Sequence, residues 1–207
     1  MARQTKKRIG QLIVIDGIDQ SGKKTQARLL ARRIREQGFA CVIWDFPVYH
    51  TRLGRRLNAY LTGKEKPDLH VVHLLYAANK WEVAPKIIKQ RARGIVVIAN
   101  RYTPSNLAYG VAHGLPLAWL RTLETGLPKP NQIFILDIPV RLSFNRKRKQ
   151  RDIHEEDATY LKTVRRIYLR LAKQHNWVVV NSESSPSLVH SEIWRAIKKS
   201  FTESRLM

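Results

Sequence analysis

The stretch that most constrains this chain is QLIVIDGIDQSGKKTQARLLARRI, residues 11–34. A continuous apolar run enters a loop of outline Gly–four residues–Gly–Lys. It leaves as an amphipathic segment with Ala27, Leu30, Ala31 and Ile34 on one helical stripe, closed by Gly38. Apolarity without alternation marks a strand buried on both faces, the situation of a parallel sheet. Gly17 and Gly22 permit a tight backbone path, and the N–H groups of 18–24 can converge on an anion ahead of a helix N-terminus. Lys23 would then reach the β- and γ-phosphates of a nucleotide. With a strand running in and a helix running out, the segment from Gly17 through Ile18, Asp19, Gln20, Ser21, Gly22, Lys23 and Lys24 to Thr25 reads as a phosphate-binding loop. Two of its residues are unusual. Asp19 puts a carboxylate among phosphates, which implies a bridging water, a metal or a substrate hydroxyl, or else a turn-capping Asp. Lys24 occupies the position where a Ser or Thr hydroxyl normally helps hold Mg²⁺.

The same strand–helix grammar continues. Segments 40–46, 95–100, 132–138 and 177–181 read as further strands. Segments 67–94, 116–126, 157–175 and 186–201 read as helices, the first with Pro85 as a kink or break and Gly94 as its end. Alternation of this kind predicts an α/β fold with a five-stranded parallel sheet flanked by helices. Ligands in such sheets sit at the carboxyl ends of the strands, and every motif below falls just after one.

Composition narrows the class. The 207 residues are 43% hydrophobic, normal for a folded chain, and contain no repeat or linker, so one domain over 1–207 is expected. A lone cysteine, Cys41, lies in the apolar run ACVIW and reads as a buried structural thiol. No apolar run is long enough to cross a bilayer, and the basic start MARQTKKRIG (tail 1–9) lacks the apolar core of a secretory signal; a cytoplasmic protein is expected. The unusual quantity is a net charge of +22, from 38 Lys+Arg against 16 Asp+Glu. Such a field attracts polyanions, whether nucleic acid or a charged nucleotide, without choosing among them.

Five segments in order carry a family resemblance: GIDQSGKKTQ (17–26), FPVY with Gly54 (46–54), HLLYAANKWE (73–82), NRYTPSNLAYG (100–110) and GLPKP (126–130). Together they resemble the thymidylate kinases, nucleoside monophosphate kinases that phosphorylate dTMP with ATP and Mg²⁺ and are usually homodimers. The resemblance implies a three-layer P-loop kinase fold with a short lid. It implies that Asp19 approaches the acceptor's 3′-hydroxyl and, with Glu155, the metal. Phe46 and Tyr49 would lie near the acceptor phosphate, and Tyr76 would stack on the base. Lys80, where the family places Arg, would hydrogen-bond the base, with Ser105 and Asn106 bordering it. Tyr109 would pack under the deoxyribose, and Arg101 would clamp both phosphates. From the residues alone, the other reading of Arg101 is a structural ion pair with a helix carboxylate, and that of Tyr76 a core aromatic.

The basic run NRKRKQRDIHEED, 145–157, reads either as a solvated helix end or as a lid, about 145–156, that closes over ATP. Gln20 stands where some members carry a loop arginine, which implies that lid arginines, Arg146, Arg148 or Arg151, supply that catalytic charge. Three positions depart from the family pattern: Lys24, Asn100 for the Asp of DRY, and Asn131 for the Asp after LPKP. The two asparagines are read as lost negative charge beside the metal–phosphate site. The expected activity is transfer of the ATP γ-phosphoryl group to dTMP. The alternatives are another pyrimidine monophosphate, or a decayed kinase that binds RNA or ribosomes.

Overall fold

The structure is a computed structural model and describes residues 9–146 and 157–202. Five strands, β1 (Leu12–Asp16), β2 (Cys41–Asp45), β3 (Val96–Asn100), β4 (Gln132–Asp137) and β5 (Val178–Asn181), form one parallel sheet in the order β2-β3-β1-β4-β5. β1 is central and all its residues are buried, which is why its sequence shows no alternation. It pairs with β3 on one side, Val14 opposite Ala99, and with β4 on the other, Val14 opposite Ile133. Cys41, at the start of edge strand β2, is buried, and burial pushes its thiol up to about 11, so it is a packing residue.

Helices α1 (Lys23–Glu36) and α8 (Pro186–Thr202) cover one face. Their Ala27, Leu30, Ile34, Val189, Ile193 and Phe201 pack on Ile13, Ile15, Ile98 and Phe134. The other face carries α3 (Leu69–Ala92), α4 (Thr103–Ala112), α5 (Leu117–Glu124) and α7 (Ala158–His175). There Val83, Ala84 and Ile87 of α3 meet Leu12, Val14 and Val97, while α4, α5 and α7 close over Ile135. Each fully buried aliphatic side chain contributes about 1.5–3 kcal/mol, so these two interfaces dominate stability.

Three short helices were not expected: α2 (Arg52–Leu61), α4, and α6 (Val140–Arg146). Each lies in a stretch whose residues also build the site. Of the kink or break expected at Pro85, the break is corrected: α3 runs through it for 24 residues. Pro85 is exposed, and the buried residues on either side, Val83, Ala84 and Ile87, hold the helix on the sheet. None of the described helices is long and apolar enough to cross a membrane.

Candidate active site

The loop after β1 has the backbone its glycines allow. Gly17 has φ 139° and Gly22 has φ 93°, and a Cβ on Gly17 would collide with the carbonyl of Leu136. Gly22 caps α1 without any side-chain hydrogen bond, and the first turn of α1 holds no acidic residue. Its free N–H groups and the helix dipole are therefore open to an anion. Lys23 is buried and donates to the carbonyl of Ile18 at 2.8 Å, which folds its ammonium back over the loop.

Behind the loop stands Asp16, fully buried at the end of β1. It accepts hydrogen bonds from the backbone N–H groups of Gly17, Tyr102 and Ser105 and from the hydroxyls of Ser105 and Tyr168. One carboxylate thus fastens the phosphate loop to the segment after β3. The sequence reading passed over Asp16 as the last residue of a strand; its one signal was a charge ending an otherwise apolar run directly before Gly17.

In front of it, Asp19 forms an ion pair and hydrogen bond with Arg101 Nη2 and accepts from the Tyr109 hydroxyl at 2.8 Å. Lys23 Nζ lies 3.9 Å away. Burial pushes the Asp19 carboxyl up, but the charges of Arg101 and Lys23 and the bonds from Tyr109 and Arg101 outweigh it and hold the group well below the usual carboxylate range. Arg101 has a positive φ of 63°, uncommon for a side chain of its size. Its N–H to the Ile15 carbonyl, 3.0 Å, and its side-chain bond to Ser105 hold that conformation.

Two cavities meet at this pair. The first is lined by Gln20 to Gln26, Asn100, Arg146, Ser182 and Pro186, and the second by Phe46, Tyr49, Tyr76, Lys80, Asn106 and Tyr109. Asp19 and Arg101 line both. The floor of the second cavity is polar and buried. Lys80, 3% exposed, pairs with Glu124 at 3.0 Å and donates to the Tyr76 carbonyl. Asn106 donates to the same Glu124 oxygen at 2.6 Å. The loop 46–51 that roofs it is held by Asn79, which accepts from Val48 N–H and donates to Thr51.

The thymidylate kinase family model matches residues 15–193. The chain belongs to the thymidylate kinase family. It is 33% identical to the thymidylate kinase of Danio rerio over 90% of this chain and 89% of that one, and 32% identical to that of Homo sapiens with the same shares. Among solved structures, the thymidylate kinase of Candida albicans, described as having broad substrate specificity, superposes with a TM-score of 0.84 at 26% identity, over 93% of this chain and 92% of that one. The parallel five-stranded sheet is thus that of a P-loop kinase.

Placed in this family, the expected residues divide as follows. Loop residues Asp19 to Thr25 and Arg146 line the first cavity, Gly17 and Ile18 line neither, and Asp19, Phe46, Tyr49, Tyr76, Lys80, Arg101, Ser105, Asn106 and Tyr109 line the second. Arg101 is ion-paired, but with loop residue Asp19 between two cavities rather than with a helix carboxylate. Tyr76 packs on Tyr60, Leu61 and Val72, as a core aromatic does, and it also lines the second cavity. Arg146 donates to the carbonyls of Gln20 and Ser182, bridging the phosphate loop to the segment after β5. Arg148, Arg151 and Glu155 lie outside the described residues, as does most of the lid. The reading of Asn131 is corrected. Asn131 N–H and Oδ1 pair with Leu12 at the amino end of β1, and Arg91 donates to the same oxygen. Five residues of strand, about 16 Å, separate it from the phosphate loop, so its charge has no bearing on the metal site. Glu124, His73, His113 and Asn79, which hold the second cavity together, were missed: Glu124 and His113 sit at helix ends outside every motif read as part of the site, and His73 and Asn79 lie in HLLYAANKWE (73–82) but were given no role there.

Proposed function

We propose that the protein transfers the γ-phosphoryl group of ATP to the 5′-phosphate of dTMP, giving ADP and dTDP. The observation that supports this best is the shared wall: Asp19 and Arg101 border both cavities, so a donor in one and an acceptor in the other meet across Arg101. An acceptor phosphate oxygen attacks the γ-phosphorus as the bond to the β-phosphate oxygen breaks, and ADP leaves. The transfer asks the protein for position and positive charge, not for a covalent intermediate. Lys23 and the N–H groups of the uncapped α1 hold the donor phosphates. Arg101 bridges the two substrates, fixed from behind by Asp19 and Ser105. Tyr109, its hydroxyl bound to Asp19, presents its ring beside Arg101, whose guanidinium lies 5.5 Å from the ring centroid.

Mg²⁺ fits this site only in part. Among the described residues no cluster of three or more His, Cys, Asp or Glu could hold a metal. Both oxygens of Asp19 are already engaged, by Arg101 and Tyr109. Asn100 lines the donor cavity; its Nδ2 donates to Asp45, and its Oδ1 is buried and without a hydrogen-bond partner. We therefore assign Asn100 Oδ1, directly or through water, as the protein oxygen for a Mg²⁺ carried on the ATP phosphates, in place of Asp19. That ion neutralises phosphate charge when bound; Lys24, at the mouth of the same cavity, adds a fixed positive charge.

The test is a coupled ADP-release assay with ATP and dTMP, dUMP, UMP or dCMP. Turnover with dTMP in the range typical of kinases, about 1–100 s⁻¹, is expected. A clear preference for UMP would refute the substrate assignment and the proposed role of Tyr109. No turnover with any of the four would leave the decayed, binding-only reading. Two copies are proposed to pair through α3, where Val71, Leu74, Trp81 and Ile88 expose an apolar stripe at spacings of three and seven.

A further inference from the structure

Besides its tyrosines and the Asp19–Arg101 pair, the second cavity is lined by four polar side chains, Asn79, Lys80, Ser105 and Asn106. Two are committed elsewhere. Asn79 holds the loop 46–51 through Val48 and Thr51 and also donates to Glu82, and the Ser105 hydroxyl donates to Asp16. That leaves Lys80 and Asn106, and both end on Glu124, which lines neither cavity.

Glu124 fixes which way the Asn106 amide faces. Its Oε1 lies 2.6 Å from one terminal atom of Asn106. Only Nδ2 can occupy that place, because an amide oxygen there would face a carboxylate oxygen. The other Nδ2 hydrogen goes to the His73 carbonyl at 3.3 Å. Oδ1 must then face His73 Nδ1 at 2.7 Å, so His73 Nδ1 carries the proton. His73 Nε2 becomes an acceptor, 3.0 Å from His113 Nδ1, which donates to it. His113 Nε2 lies 2.8 Å from the Tyr160 hydroxyl, which also donates to the Tyr109 carbonyl at 3.3 Å. The order of donors runs from His113 to Glu124 without a mismatch, and His73 in it is neutral. Burial, the largest influence on His73, lowers its pKa to about 4, which agrees.

The hydrogens of the two reading groups can then be assigned. Asn106 has spent both Nδ2 hydrogens and keeps only a lone pair on Oδ1. Lys80 gives one N–H to the Tyr76 carbonyl and lies 3.0 Å from Glu124 as an ion pair; an ammonium has donors only, so what it has left for a ligand is N–H. The cavity wall therefore offers an acceptor on Asn106 and a donor on Lys80.

Resting on the reading that the acceptor is a pyrimidine monophosphate, we infer that Glu124 is a specificity-determining positioning residue: acting through Asn106 and Lys80, it sets the wall to accept a 4-oxo pyrimidine with a protonated N3 and to reject a 4-amino pyrimidine. Thymine presents an acceptor O4 to Lys80 and an N3–H donor to Asn106. Cytosine presents a donor amine and an acceptor N3, so both pairings oppose, and buried polar groups are left unmatched.

The experiment compares kcat/KM for dTMP and dCMP in the wild type and in Glu124→Gln, with KM for ATP and Tm alongside. The wild type is expected to favour dTMP by at least about 100-fold. The Gln amide can turn either its nitrogen or its oxygen to Asn106, so the donor order can reverse. The dTMP:dCMP ratio is then expected to fall at least about tenfold, chiefly through KM for dTMP, with KM for ATP unchanged. A ratio equal to that of the wild type, with both substrates losing alike, would overturn the inference. A second measurement needs no variant: nitrogen-15 NMR of the wild-type imidazoles at pH 7. His73 protonated at Nδ1 and neutral is the result expected; His73 protonated at Nε2, or charged, overturns the inference. A wild type inactive on dTMP while the His73 tautomer is as expected would refute the substrate reading and leave the polarity of the wall standing.

Discussion

At the scale of single residues, the site turns on charges that are partnered before any substrate arrives. Arg101 is largely buried, and its folded-state cost is met by Asp19. It is also a planar fork, which Lys cannot imitate. Arg101→Lys is therefore expected to keep the fold and to lower kcat/KM for dTMP by about 10²–10³, the cost of one well-placed donor to transferring charge. A loss under threefold would remove Arg101 from the transfer step. His73 makes a second prediction, about pH. Its pKa is depressed, from 6.5 to about 4, by burial, so the unfolded chain takes up a proton that the folded one does not. The sign follows: this contribution to stability is fully present above about pH 6.5 and is lost as pH falls toward 4. The loss is on the order of 3 kcal/mol at most. Urea unfolding at pH 7 and pH 4.5 should show a smaller pH-dependent loss for His73→Gln than for the wild type; equal losses would place the proton uptake elsewhere.

At the scale of elements, the motifs are the places where backbones must approach. Gly54 opens α2 and has an ordinary φ, so freedom is not its purpose. A Cβ there would run into the Val48 carbonyl oxygen and the backbone of Tyr49. Thr51, which caps α2 by accepting from Gly54 N–H and donates to Val48 O at 2.9 Å, ties the same loop from the other side. Gly54→Ala is expected to shift the loop 46–51 outward and raise KM for dTMP about tenfold while leaving KM for ATP within twofold, because the donor cavity shares no residue with that loop. Steady-state kinetics with each substrate varied would check it, and an equal rise in both constants would contradict it. Element boundaries followed the same logic. β1, α1, β3 and α8 were legible because burial on one or both faces dictates their pattern. α4 and α6 were not, because α4 is buried on nearly every side and α6 has only seven residues; α2 did carry a helical stripe, Leu53, Leu57, Tyr60 and Leu61, which was passed over.

At the scale of the whole molecule, the apolar stripe on α3 and the charge of +22 are both surface properties. If the stripe joins two copies, Leu74→Glu, at a side chain 46% exposed, should yield monomers by sedimentation velocity with Tm within a few degrees of the wild type. A variant still dimeric would place the interface elsewhere. By itself the sequence determined the parallel sheet, the phosphate loop and the family, because these rest on local signals: burial on two faces, glycines at a tight turn, motif spacing along the chain. It named the substrate-facing residues only through the family. What the tertiary structure decided was partnership. It brought Asp19 to Arg101 across 82 positions, Asp16 to Tyr168 across 152, and Leu12 to Asn131 across 119, which moved Asn131 to the far end of the sheet. It also made Glu124, at the end of a short helix, the anchor of Lys80 and Asn106. A hydrogen bond depends on atoms a few ångströms apart, and a chain folded into parallel β–α crossovers puts the residues that share one far apart in sequence.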